Sequence, residues 1–235
     1  MNEFNLKKKQ YRTKAYQKKD NILSRTGFEL IKNKVDFINK DFQRSLFIDD
    51  INDFKIKKLN KIDFCDFEKI NKNNNRYDSI FSNFNTQLNF ANNLDECLKS
   101  VYKRLENDGL FCFNILTPNS MKTIRKIFIE IDEGIFKGAF NRFGPFHDIS
   151  SIIENLNYNK FKEIVVGTEF IELNYRSFDR IRDDFKEFGI SNYSKNVPKF
   201  KKDFLIKTYS VFSKIIAKYK YIPVEYEIAT FTSWK

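Results

Sequence analysis

Residues 110–116, LFCFNIL, are apolar on both faces. A strand without polar alternation belongs inside a sheet covered on both sides, and such sheets are parallel. The preceding chain fits. YDSIFSNF predicts a second buried strand over 77–83. NLDECLKSVYKRLE then sets Leu94, Cys97, Leu98, Val101 and Leu105 on one helical face. Asn93 and Glu96 have the spacing of a helix cap, and NDG stops the helix with Gly109 as its C-terminal glycine. Strand, helix and strand within about forty residues form one crossover unit joining parallel strands, so the chain is predicted to be α/β.

The remaining elements are read the same way. Thr26 and Glu29 have capping-box spacing, and Phe28, Ile31, Val35 and Ile38 predict a helix over 26–38. Leu46, Phe47 and Ile48 form an apolar run that ends in Asp49 and Asp50. NKIDFC predicts a strand over 60–65, and NKNNNR a polar loop over 71–76. After Pro118 a helix is expected from Met121 to about Asp132, then a glycine-bearing loop through Pro145, then a short helix capped by Asp148. FKEIVVGTEFIELNY reads as a long strand, SFDRIRDDFKEFG and 201–219 as helices. IPVEYEIATFTSW reads as a closing strand, antiparallel to 163–173. This organises residues 21–235 as one domain with cap insertions at about 119–160 and 175–220, preceded by a basic arm over 1–20.

A chain of 235 residues can bury a sizeable core, and no apolar stretch approaches the roughly 20 residues that span a bilayer. The net charge of +11 invites a nucleic-acid reading, through the run from Lys7 to Lys19. Overuse of Lys, Asn, Ile and Phe together fits an AT-rich genome, which explains much of the excess without nucleic acid. The arm is then either a solvated face or a lid with Tyr11 and Tyr16 as contacts. Cys65, Cys97 and Cys112 lack CxxC spacing and read as buried thiols of a reducing compartment. His147 is the only histidine, read as a capping or surface residue, and no zinc site is expected. Asp183 and Asp184 are adjacent on a helix and face apart. Arg182 is either a binder of an acidic substrate group or part of a solvated face.

RYDSIFSNFNTQLNFANNLDECLKSVYKRLENDGLFCF resembles the second half of a class I SAM-dependent methyltransferase, with Asp78 on a strand and a loop beginning at Ser82-Asn83. NRFGPFHDISSIIENLNYNKF, IELNY, DDFKEFGISN and IPVEYEIATFTSWK resemble one branch of that family. The branch holds the malonyl carrier-protein methyltransferase of biotin synthesis and the methyltransferase-like assembly factor of respiratory complex I. GISN and the terminal WK lie nearer the assembly factor; Gln87 lies nearer the biotin enzyme. The resemblance implies a Rossmann-like sheet with a helical cap, S-adenosyl-L-methionine (SAM) as cofactor, and a carrier protein or respiratory subunit as partner. Tyr175 and Asn192, among the positions that carry the resemblance, are expected substrate contacts, beside Tyr11 of the arm and Arg182. A bacterial cytoplasm is the expected compartment, with a mitochondrial matrix as alternative; the match starts near residue 4, which leaves no room for a transit peptide.

In that family the first strand ends in an acid and a GxG turn, whose glycines let the backbone approach the cofactor. Here Asp49 or Asp50 matches the acid, but the chain has no GxG, and Gly27 is the only glycine before Gly109. Roughly nine residues separate Asp50 from the next strand, whereas a parallel crossover uses a dozen or more. The sheet is therefore expected to be truncated in its first half, with these two segments forming a hairpin or one of them not a strand. What remains is a half site. Asp66 and Phe67 would meet an adenine; Ser82, Asn83 and Gln87 lie at a strand's C-terminal end, where ligands bind in open α/β sheets. The bland readings are a turn residue for Asp66 and a local loop cap for Ser82-Asn83. Two functions follow: a methyltransferase degenerate in SAM binding, or a non-catalytic assembly factor.

Overall fold

Helix α1 (Ile22–Phe37) leads into strand β1 (Phe42–Phe47) in a computed structural model that describes residues 22–48, 56–72, 74–84, 86–188, 197–198 and 202–235. Leu23, Phe28, Ile31 and Val35 are the buried face of α1. The helix is already under way at Ile22, so Thr26 and Glu29 are not its cap; Glu29 pairs instead with Lys32 at 3.4 Å.

Strand β2 (Leu59–Phe64) lies beside β1 in parallel, with Phe42 opposite Leu59 and Phe47 opposite Phe64. The expected hairpin is thereby overturned, and both segments are strands. The reason is reach. A six-residue strand covers roughly 20 Å at about 3.3 Å per residue. Residues 48–58 return the chain, and eleven residues span up to about 36 Å when extended. The usual crossover length is thus not a limit for strands this short. The same eleven residues would cover only about 16 Å as a helix, which leaves nothing for a helix plus a cofactor loop.

A 3-10 turn (Phe67–Lys72) precedes β3 (Tyr77–Asn83). Helix α2 (Thr86–Arg104) follows and kinks at Asn93. There the Asn93 Oδ1 accepts the Glu96 backbone N–H at 3.1 Å, and the Asn93 amide donates to the Glu96 carboxylate at 2.6 Å. This reciprocal pair is the cap read from the sequence. Strand β4 (Leu105–Leu116) pairs with β3 in parallel and carries an irregularity between Tyr77 and Ser79. The left-handed residue at the NDG turn is Asp108, at φ 56°, and Gly109 has ordinary backbone angles. Glycine is required there for a different reason: a Cβ would stand 2.9 Å from the Glu106 carbonyl oxygen.

After α3 (Lys122–Phe136) and α4 (Ile149–Tyr158) come β5 (Lys162–Tyr175), α5 (Phe178–Phe188), α6 (Lys202–Tyr219) and β6 (Ile222–Trp234). The six strands run in the order β2-β1-β3-β4-β6-β5, with β6 antiparallel to β4. The described residues gather into two units. One comprises Ile22–Pro118, Phe146–Glu169 and Ile228–Lys235 and holds the sheet; the other comprises Asn119–Pro145 and Phe170–Glu227. Helix α4 thus belongs with the sheet, where Ile152 and Leu156 join Leu98, Val101 and Phe113. Phe113 stacks on Phe231 at 4.9 Å, a contact worth about 0.5–1.5 kcal/mol beyond its burial. On the opposite face Phe28, Ile31 and Val35 pack on Phe42, Phe47, Phe81 and Cys112. Trp234 stacks on Phe42 at 6.5 Å, and the Lys235 ammonium donates to the Tyr102 and Leu105 carbonyls at 2.9 and 2.8 Å, closing the end of α2.

The second unit has its own aromatic core. Phe128 meets Phe143 at 5.0 Å and packs on Phe178, Phe204 and Phe212. Inside it Arg142 and Asp132 form a buried two-pronged ion pair, with Nε donating to Oδ2 at 2.7 Å, and the guanidinium lies 4.3 Å over the Phe204 ring. Among the described residues no helix is long and apolar enough to cross a membrane, and no three ligand side chains cluster as a metal site.

Candidate functional site

The chain leaves β1 toward β2 on one side, while β3 pairs on the other. The strand order thus reverses between β1 and β3, and in open α/β sheets the ligand crevice lies outside the carboxyl ends at that point. Ile48, fully buried, donates its N–H to the Phe81 carbonyl at 2.8 Å there. Beyond it α1 comes down on the end of β3. The Asn83 amide donates to the Ser24 carbonyl at 2.7 Å. The Asn114 amide, from β4, donates to the Gly27 carbonyl and to Asn83 Oδ1. The approach is so close that a Cβ on Gly27 would stand 2.3 Å from Asn83 Oδ1 and from the Phe84 ring. Phe84 holds a left-handed backbone at φ 64°, so its ring position is fixed by an unusual turn.

Ser82 and Gln87 are engaged as well. Ser82 Oγ accepts the Thr86 N–H at 3.2 Å, which closes the loop into α2. Gln87 Oε1 accepts the Leu116 N–H at 2.8 Å, so this side chain terminates β4. The Gln87 backbone carbonyl lies 2.7 Å from His147 Nε2. A carbonyl only accepts, so Nε2 carries a proton and donates it to this bond. Burial pulls the His147 pKa below its ordinary value, and the hydrogen bond to Gln87 opposes this only in part. His147 is therefore not the capping or surface residue that was expected: Asp148 occupies the cap position and His147 packs edge-on against Phe90 at 6.2 Å. Thr86 Oγ1 and Asn114 Oδ1 are buried beside this network without a hydrogen-bond partner among the described residues.

Asp66 opens the 3-10 turn. Its carbonyl accepts the Lys69 N–H at 2.9 Å and its carboxylate pairs with the Lys69 ammonium at 2.8 Å. Phe67 packs half-buried against the core of the sheet unit. Asp63 pairs with Arg44 at 3.1 Å, and Asp78 accepts the backbone N–H groups of Gln43 and Arg44. Asp49 and Asp50 lie outside the described residues.

The substrate candidates divide similarly. Tyr11 and Asn192 lie outside the described residues. The Tyr175 hydroxyl donates to Asp184 at 2.8 Å. Burial raises its pKa, and the hydrogen bond to the Asp184 carboxylate adds to that. Tyr226, almost fully buried and bonded to Tyr175, is likewise raised well above the ordinary range by desolvation. Arg182 donates to the Tyr209 hydroxyl at 2.8 Å and pairs with Asp179 at 3.1 Å. Asp183 faces Arg182 and Lys186 while Asp184 faces Tyr175, so the two carboxylates point apart as read.

Sequence reasoning missed Gly27, Asn114 and the Arg142–Asp132 pair. Two of these left a trace: Gly27 is the lone glycine of the first hundred residues, and Asn114 is the one polar side chain inside LFCFNIL. Asn83, Asn114 and Gln87 at the carboxyl ends of β3 and β4 bond to one another, to α1 and to the end of β4, while Thr86 Oγ1 and Asn114 Oδ1 are left over. A cofactor of SAM's kind needs a glycine turn and a carboxylate open to its ribose. Among the described residues Asp66 is paired with Lys69, and the sequence has no glycine between β1 and β2.

No family model matches the sequence. Similarity to individual proteins is clear. The chain is 29% identical over 118 residues, half of its length, to a malonyl-[acyl-carrier protein] O-methyltransferase of Gallionella capsiferriformans. It is 23% identical over 207 residues, 84% of its length, to the mitochondrial arginine-hydroxylase NDUFAF5 of Rattus norvegicus. These matches span 38% and 60% of the two relatives. In fold it resembles a crystal structure from Bacillus halodurans C-125 described as a methyltransferase, with a TM-score of 0.51, 8% identity, and coverage of 88% of this chain and 98% of the other. Sheet order, crossover unit and the structural likeness together give this chain a class I methyltransferase fold, and its sequence is similar to members of that class.

Proposed function

We propose that this chain is a class I methyltransferase-family protein that has lost the ordinary SAM cradle and works by binding another protein. The observation that carries this is the return from β1 to β2. Residues 48–58 join two parallel strands without a glycine, where a cofactor loop would need both glycine and additional length. The hydrogen bonds that tie Asn83 to α1 and to Asn114, and Gln87 to the end of β4, support the same reading. One group of relatives is named for a malonyl group on acyl carrier protein, the other for an arginine. A protein partner, either a carrier protein or a respiratory subunit, is the corresponding proposal here, in the cytoplasm or a mitochondrial matrix.

A second reading is active methyl transfer to a carrier-bound acid, favoured by the matches to several malonyl-carrier-protein methyltransferases. Mass spectrometry of malonyl-loaded acyl carrier protein, incubated with the chain and SAM, separates the two. No methyl ester is expected; ester formation above a no-enzyme control establishes the second reading.

A further inference from the structure

Helix α6 spends one face on the aromatic core of its unit, where Phe204, Thr208 and Phe212 are buried. Its other face has a pattern that the core does not explain. Lys207, Lys214 and Lys218 are exposed and follow an i, i+7, i+11 spacing. At about 100° per residue they fall within roughly 40° of one line and extend over about 16 Å. Lys202 and Lys220 continue the positive charge at the two ends. Asp203 is the only acid on the helix, and it sits in the first turn, where the helix dipole favours it.

None of Lys207, Lys214 and Lys218 forms an ion pair with a described residue; Lys218 lies 4.7 Å over the Tyr219 ring instead. The acids of the neighbouring α5 are already taken, Asp179 by Arg182 and Tyr209, Asp183 by Arg182 and Lys186. Exposed apolar side chains lie near the two ends of the stripe: Ile206 at the start, Tyr219 and Tyr221 at the finish. Ile206 is 58% exposed.

We propose that this face of α6 is a docking surface for an acidic helical segment of a partner protein. Charge complementarity selects an acidic partner, and the straight stripe selects a helix carrying acids at matching turns. The apolar side chains at the ends supply the desolvated contacts that a purely charged face lacks. A bilayer is disfavoured, because a helix lying on lipid inserts an apolar face along its whole length, and here that face is inside the protein. The proposal rests on the protein-binding reading above and gives it a surface and a partner chemistry.

The test uses the full chain and a fluorescein-labelled helical peptide bearing glutamates at i, i+7 and i+11, followed by anisotropy at low and high salt. Binding that weakens with salt is expected. The Lys207→Glu/Lys214→Glu/Lys218→Glu variant should bind about tenfold or more weakly, since each rim charge contributes modestly and the three act together. A variant with the same charge change elsewhere, Lys57→Glu/Lys61→Glu/Lys103→Glu, should bind within about twofold of wild type. Equal losses in both variants, or no binding by wild type, overturn the proposal. So does stripe-dependent binding to phosphatidylglycerol vesicles or duplex DNA in place of the peptide. A chain that binds SAM yet takes the peptide through the stripe refutes the loss of the cradle and leaves the docking surface standing.

Discussion

Replacing Gly27 with alanine sets two effects of known sign against each other. Alanine is favoured over glycine in a helix interior by about 1 kcal/mol. At most exposed helical positions G27A would therefore stabilise. Here the new methyl carbon would lie 2.3 Å from Asn83 Oδ1 and from the Phe84 ring. Neither neighbour yields cheaply. Asn83 is held by hydrogen bonds to Ser24 and Asn114, and Phe84 sits on a left-handed backbone. Overpacking of this kind costs about 1–3 kcal/mol, and a lost buried hydrogen bond about 1 kcal/mol more. The clash wins, and the net loss is about 2 kcal/mol, or roughly 4–8 °C in Tm for a chain of this size. The protein has a single tryptophan, Trp234, packed beside the hydrophobic cluster that α1 covers. Urea unfolding followed by its fluorescence should show a lower midpoint with an unchanged slope. A G27A protein as stable as wild type would show that α1 does not seal the end of β3, and the case for a closed crevice would lose its steric basis.

Other consequences follow from the same contacts. Arg142→Ala strands the buried Asp132 carboxylate and should destabilise by about 3–5 kcal/mol, whereas a double Arg142→Met/Asp132→Leu variant should recover much of that loss in the same urea assay. Lys235→Met removes two hydrogen bonds that close α2 and should cost about 1 kcal/mol. Burial depresses the His147 pKa, so the unfolded chain takes up the proton first; the stability tied to neutral His147 is full above about pH 6.5 and falls as the pH drops below it. His147→Gln should therefore lose less Tm than wild type between pH 8 and pH 5.5. Burial pushes the Cys97 and Cys112 thiols up to about 12, so native-state alkylation should modify Cys65 well before either of them; equal labelling would contradict the core described here.

What the sequence disclosed was local. Strand β3 and the Asn93–Glu96 cap were legible because each depends on residues a few positions apart. The pairing of β1 with β2 was not. It turned on the distance that residues 48–58 must cover, and a typical crossover length replaced the reach that short strands require. The role of Gly27 depends on Asn83 and Phe84, more than fifty positions away, and nothing near Gly27 announces them. Asn83 and Gln87 were read as facing a cofactor because strand ends usually do, whereas here α1 and the last residue of β4 take their hydrogen bonds. The ion pair of Arg142 with Asp132 was hidden by spacing, since ten residues apart across a helix end is no recognisable motif.

Titration calorimetry of the purified full chain with SAM bears most directly on what this fold has kept. No heat beyond dilution is expected into the millimolar range of ligand. Saturable binding at micromolar SAM would mean that a cradle exists despite the glycine-free return between β1 and β2, and the proposed loss of cofactor binding would be wrong.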